Sequence, residues 1–393
     1  MEGKIEKKSG IRTNAILLAL VSVMVLFEIL IRAEGKGSLF APANISNLIN
    51  QNAYVVILAV GMLLCILTGG NIDLSVGSIV CLVGAVAGTL IVNMGMNIYL
   101  AIIICLLFGI LLGAWQGYWI AYVRIPPFIV TLAGMLLFRG LANVILNGLT
   151  ISPFPENYLR LFTSYIPESD NDALQMTVSL SVAGVICILY VISEIASRKD
   201  KIRKGYATES SGAMITKTVL ICAFAMAFAT LLGLHKGLPI VLVWLAVIIF
   251  VYGYFTNRTV PGRYFYAMGG NEKAAILSGI DTNKVLFFAY TNMAFLSAIA
   301  ALVCCARFNS ATPSAGTSYE MDAIGSCFIG GASAYGGSGT VGGAIVGALL
   351  MGVLNNGMSI LGIDANWQKA VKGLVLLAAV IFDVLSKKRR KND

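Results

Sequence analysis

Hydrophobic residues in this chain come in long runs separated by short polar breaks. The first is Ala15–Phe27, extended past Glu28 by Ile29–Ile31, and the second is roughly Ala53–Thr68. Leu74–Val123 holds no charge in 50 residues, about 75 Å as helix and so two crossings. The turn between them is expected at Asn93-Met94-Gly95-Met96-Asn97. Further runs are roughly Phe128–Leu146, Met176–Ile195, Thr218–Leu234, Leu238–Tyr254 and Val285–Ala306. Ala323–Ile363 holds no charge in 41 residues, about 61 Å as helix and again two passes. Gly336-Gly337-Ser338-Gly339 divides them, and the first piece, Ala323–Tyr335, is short for a full crossing and is either re-entrant or tilted. The last run is about Trp367–Leu385. A crossing helix needs about 20 apolar residues. The pattern therefore predicts an all-α, polytopic integral membrane helical bundle of about twelve transmembrane helices, with broken or re-entrant segments.

Composition agrees: 58% of the 393 residues are hydrophobic and only 12% are charged, against about 25% charged in an average soluble domain. Lys4, Lys7, Lys8 and Arg12 precede the first run as they would in a signal peptide, but no small-x-small cleavage site follows, so a retained helix is expected. Placing the 28 Lys and Arg residues sets the orientation. Twenty fall in residues 1–13, 124–127, 196–217, 256–284 and 386–393. The positive-inside rule puts those segments, and both termini, in the cytoplasm. Lys36, Lys369 and Lys372 are among the cations assigned outside. The basic tail Lys387-Lys388-Arg389-Arg390-Lys391 thus reads as an anchor, and no nucleic-acid role is expected. The expected divisions are a cytoplasmic N-terminus over 1–13, a transmembrane domain over 14–385 and a basic cytoplasmic tail over 386–393.

Catalytic and metal chemistry find little support. There is one His, His235, placed in a solvated outside turn, and the eight Cys form no CxxC pair. No metal, catalytic or cofactor residues are assigned. Gly337-Ser338-Gly339-Thr340-Val341-Gly342 matches GxGxxG, but no strand precedes it. With no Walker A sequence, this chain is not expected to bind and hydrolyse ATP itself. Glycines at four-residue spacing (Gly109, Gly113, Gly117; Gly84, Gly88; Gly343, Gly347) read as close helix packing, which replaces the hydrophobic drive in lipid.

Four polar stretches carry the candidate chemistry. Gly69-Gly70-Asn71-Ile72-Asp73-Leu74-Ser75 interrupts two apolar helices, with Asp73 as expected N-cap. It reads as a capped turn at the cytoplasmic surface, or as a broken-helix element beside a substrate path. Arg139, Asn143 and Asn147 share one helix face. They read as polar contacts on a path, or as a structural Arg bonded to the carbonyls of a neighbouring broken helix; Glu28 reads likewise, or reaches water. In the cytoplasmic segment Asn257–Lys284, Asn271 can cap a short helix Glu272–Leu277 that Gly279 stops, and Asp281 can cap the next span. That is a compact knob for a partner, or a loop with a chance helix. Outside, Thr150–Ala173 carries Phe154, Tyr158, Phe162 and Tyr165 beside Glu156, Glu168, Asp170 and Asp172, a candidate docking surface.

Four ordered blocks in this sequence resemble the permease subunits of ribose/xylose-type bacterial ABC sugar importers. They are Gly61-Met62 with Gly69–Ser78; Pro127–Met135 with Arg139-Gly140; Gly262-Arg263 with Tyr266–Asn271, Ala274-Ala275 and Ser278–Ile280; and Ile329–Gly331 with Gly336–Gly343. The longer xylose or multiple-monosaccharide permeases are most similar, with 176–234 as an extra helix pair. The resemblance implies a separate ATPase pair, an extracytoplasmic sugar-binding protein, a second permease copy and a monosaccharide of the xylose, glucose, galactose or arabinose class. It makes Gly270, Asn271, Glu272, Ala274, Ala275, Ser278 and Gly279 the coupling helix that seats in the ATPase. Asn71, Asp73, Ser75, Arg139 and Asn143 remain candidates for the path or for structural polar contacts. The competing reading is an ion-coupled secondary sugar transporter, which needs midplane carboxylates. Most span-associated acids here (Glu28, Asp73, Glu194, Asp322, Asp383) fall near span ends. A membrane enzyme has neither HExxH nor a nucleophile–base pair to support it.

Overall fold

The computed structural model describes residues 2–206 and 210–392, with side chains over 16–206, 210–381 and 383–385. The cations of segment 1–13 and of the tail Lys387–Lys391 lie outside the described side chains.

The chain is helical almost throughout. The long helices are α1 (Glu2–Ala33), α2 (Pro42–Leu67), α3 (Val76–Gly88, continued by a π-helical turn to Asn93), α4 (Ile98–Ala121) and α5 (Pro127–Leu146). After the short α6 (Glu156–Thr163) come α7 (Asp172–Arg203), α8 (Ser211–Gly233) and α9 (Val241–Arg258). The short α10 (Val260–Gly270) and α11 (Glu272–Leu277) precede α12 (Thr282–Phe308), α13 (Tyr319–Ile329), α14 (Val341–Ile360) and α15 (Ala365–Asn392). Two-residue strands β1 (Tyr165–Ile166) and β2 (Leu238–Pro239) pair antiparallel.

Among the described residues ten helices are long and apolar enough to cross a membrane. The other two expected spans differ for distinct reasons. With only 11 residues, α13 is about 16 Å long and cannot cross alone. The 28-residue α15 is long enough to cross, but its described side chains run unbroken only over 365–381, so the ten spans do not bear on it. Its Lys372, one of the cations assigned outside, pairs with the buried Asp322 of α13.

α2 is the central element, with 83% of its apolar window inside the protein, against 11% for α1, α7 and α8. It begins eleven residues before the sequence suggests. Its polar first turns are read as loop, yet Asn44 and Gln51 bond to Asn356 of α14, and Asn44 also to the Leu39 carbonyl. α12 packs on α2, α3 and α4; α14 packs on α1, α2 and α13; α7 pairs with α8 at the periphery.

The glycine stripes sit where helices touch. A Cβ on Gly113 would lie 2.7 Å from the Ala294 Cβ and 2.8 Å from the Tyr290 carbonyl oxygen of α12. Gly109 and Gly117 face the same helix at Ala298 and Phe287. Gly343 and Gly347 of α14 lie against the carbonyls of Gly330 and Ser326. Gly84 faces Cys305, and Gly88 faces Ala311 and Ile151.

Candidate functional site

Three non-helical segments are packed within the bundle: 68–75 after α2, 309–318 after α12, and 330–340 between α13 and α14. Backbone at such depth must satisfy its polar groups within protein or water. The third is tied to the end of α2: the Gly337 amide donates to the Leu67 carbonyl at 3.1 Å. Gly336, at φ +81°, would put a Cβ 2.5 Å from the Gly69 backbone. Only glycine meets both the left-handed φ and that approach.

Asp73 and Ser75 are both fully buried, while Gly69 at the start of the same break is exposed. Ser75, not Asp73, is the N-cap residue of α3. Asp73 stands two residues earlier, and its Oδ1 accepts from the Ser75 amide at 2.8 Å and the Ser75 hydroxyl at 2.6 Å. The Ser75 hydroxyl lies 3.1 Å from Gln116 Oε1 on α4. Asp73 Oδ2 and Gln116 Nε2 are buried and find no partner among the described residues. Gln116 joins this cluster from α4; the signal it offered was a single amide between Gly113 and Gly117 in the uncharged run. Asn71, at the rim, donates to Thr68 Oγ1 at 3.0 Å.

Arg139 Nη1 donates to the Pro313 carbonyl at 3.1 Å and to the Ala315 carbonyl. It therefore pins the embedded 309–318 segment to α5. The expected polar face does not continue: Asn143 is exposed, and Asn147 leaves the helix as a left-handed C-cap at φ 50°. Glu28 also serves the backbone, accepting from the Ser38 hydroxyl and the Leu39 amide.

A second polar centre joins α2, α13 and α15. Asp322, 1% exposed, accepts from Tyr54 at 2.7 Å and pairs with Lys372 at 2.9 Å. Tyr54 stacks on Tyr319 with ring centroids 3.7 Å apart. Tyr54 and Asp322 are 268 residues apart in sequence, so no local pattern could pair them.

In the segment 257–284, Asn271 Oδ1 accepts from the Ala274 amide at 3.1 Å and so caps α11. Ser278 is its C-cap residue, Gly279 follows at φ +83°, and Gly270 closes α10. Asp281 caps α12 by accepting from the Lys284 amide; that bond and the Lys284 side chain hold its carboxyl below the usual range. Ala274, Ile276 and Leu277 are exposed, Leu277 at 88%, while Ala275 is buried. Glu272 is engaged within the chain: Arg124, in the α4–α5 turn, donates to it at 2.8 Å and also bonds Thr282 and Asn283 at the start of α12.

The aromatic residues of 150–173 mostly turn inward. Phe154, Tyr158 and Phe162 are buried, and the Tyr158 hydroxyl donates to the Leu302 carbonyl. They are core, leaving exposed Glu156 and Glu168 on the surface. His235 is half-buried edge-on to Tyr165 instead of freely solvated. All eight cysteines are free thiols, six of them buried.

The family model described as branched-chain amino acid transport system / permease component matches residues 44–380. The xylose transport system permease protein XylH of Escherichia coli is 36% identical over 383 residues, 98% of this chain and 94% of that protein. XylH of Haemophilus influenzae is 34% identical over 98% of this chain and 99% of its own. The ribose import permease protein RbsC of Escherichia coli is 34% identical over 93% of this chain and 92% of its own. No solved structure matches.

Proposed function

The chain belongs to the branched-chain amino acid transport system / permease component family, and on that premise we propose that it is the membrane-spanning subunit of a bacterial ABC monosaccharide importer. The observation that carries the sugar assignment is the end-to-end similarity to xylose and ribose permeases. The cargo class is a pentose or hexose such as xylose, glucose, galactose or arabinose. A sugar-binding protein delivers it from outside, and a separate ATPase supplies the energy. Two copies of the permease form the path across the plasma membrane, with both termini in the cytoplasm.

In this reading α11 is the element that seats in the ATPase. Its exposed Ala274, Ile276 and Leu277 form an apolar contact face, and its base is tied to the membrane helices by Arg124. ATP-driven closure pushes on this knob. It switches the bundle only in so far as the two transport states differ in their contacts with it. The buried Asp73 and Ser75, and Arg139 through its grip on 309–318, shape the broken segments beside the path.

Buried Asp322 is the observation that favours the alternative, an ion-coupled sugar transporter, since such mechanisms use carboxylates at membrane depth. Its engagement by Lys372 and Tyr54 fits a structural tie better than an ion site. Reconstitution decides between them. The chain is placed in proteoliposomes with and without a partner ATPase and sugar-binding protein. Uptake of radiolabelled xylose or glucose is expected only with both partners and ATP. Uptake by the chain alone under a proton or sodium gradient refutes the importer reading.

A further inference from the structure

The 309–318 segment borders one feature that the coupling scheme leaves unused, a pocket open to the surface at Ser314 and Thr317. A cavity of about 300 Å³ lies between this segment and the end of α12, at the lower end of the range of about 300–1,000 Å³ for small-ligand pockets. Its floor is apolar, built from Val80 of α3 and Ala301 of α12. Its walls carry the hydroxyls of Ser310, Thr312, Ser314, Thr317 and Tyr319. No charged side chain lines it.

The hydrogen bonding inside the cavity limits what it can hold. Ser310 donates its proton to the Phe308 carbonyl at 3.1 Å, and Thr317 donates to the Ser314 carbonyl at 2.7 Å. The Thr312 and Ser314 hydroxyls lie 3.1 Å apart, so one donates to the other and only one of their two protons is left free. A hydroxyl has one donor and two acceptor sites, so these walls offer more free acceptors than donors. An anion finds few donors there, and a cation finds no countercharge. A neutral ligand bearing several O–H groups matches the walls, and the apolar C–H face of a sugar ring matches the floor.

The walls are also fixed in place. Arg139 grips the Pro313 and Ala315 carbonyls. Ala311 exchanges backbone bonds with Ile151. Gly316, at φ +71°, lies so close to Gly77 that a Cβ would stand 2.0 Å from its carbonyl oxygen. Tyr319 is held by its stack on Tyr54.

We propose that this cavity is a low-affinity waypoint for a monosaccharide within the permease. The proposal rests on the sugar-importer reading and adds to it a place in this chain where the sugar halts. Hydrogen bonds to charged groups are roughly twice as strong as neutral ones, and the cavity makes none. That suits a transport path, where a site must release what it binds.

The test uses the full complex in proteoliposomes, with xylose and glucose as probes. Thr312→Val, Thr317→Val and Tyr319→Phe together remove three hydroxyls while keeping the shapes. Sugar taken up per ATP hydrolysed is expected to fall about fivefold or more, as loss of neutral hydrogen bonds predicts. An unchanged ratio overturns the waypoint. A wild-type complex without ATP-driven uptake of either sugar refutes the importer reading instead. Should the triple variant not assemble, Ser314→Cys decides: millimolar xylose, but not mannitol, is expected to slow its labelling by a maleimide. Equal labelling rates overturn the proposal.

Discussion

Arg124 holds a backbone angle of φ +63°, costly for a residue with a Cβ, while its guanidinium reaches three side chains on α11 and α12. Its ion pair with Glu272 is about 40% exposed on both sides, and exposed pairs contribute only about 0–1 kcal/mol. Arg124→Ala is therefore expected to shift the melting temperature little yet lower sugar uptake per ATP hydrolysed, because the tie between α11 and the α4–α5 turn is lost. A large drop in melting temperature with normal coupling contradicts this role. Asp322 is the opposite case. Removing one partner of a buried ion pair costs about 3–5 kcal/mol, so Asp322→Asn and Lys372→Met should each destabilise strongly. The double variant should recover much of that loss, as a double-mutant cycle on thermal unfolding in detergent will show. At this scale the sequence was legible where partners are near. The caps at Asn271 and Asp281 follow from local spacing. The partners of Arg124 and Asp322 do not, because 148 and 50 residues separate the ion-paired charges.

For the helices, small residues decide the distances. Gly113→Ala drives a methyl into α12 and is expected to cost about 1–3 kcal/mol through overpacking. Gly140 of α5 has open space around it. Gly140→Ala is thus expected to be neutral or to stabilise by up to about 1 kcal/mol. Comparing the two melting shifts separates contact glycines from incidental ones. On α11, Ala275 is buried and Glu272 engaged, so substitutions there disturb the knob's own packing. The exposed pair tests docking better. Ile276→Glu with Leu277→Glu is expected to abolish co-purification with the ATPase while leaving the permease folded; retained co-purification contradicts the docking role. The existence of α11 was readable from its caps. Which face it buries was not, since six residues make too few turns to show a stripe.

Across the whole molecule, the excess of basic residues on one set of segments predicts that both ends lie in the cytoplasm. Alkaline phosphatase fused after residue 393 should be inactive and green fluorescent protein fluorescent; the converse reverses the orientation. The sequence by itself determined that this is a polytopic helical membrane protein, because runs of apolar residues have no other stable solution at that length. Its ordered motif blocks pointed to the family. The tertiary structure alone decided that α13 is an 11-residue helix, that Ser75 and not Asp73 is the N-cap of α3, and that Lys372 pairs with Asp322. It also decided that Arg139 holds a backbone segment. The physical reason is one of range. Hydropathy and capping are set within a few residues, whereas a charge or a broken helix inside a membrane is stable only through partners that the chain brings back from far away.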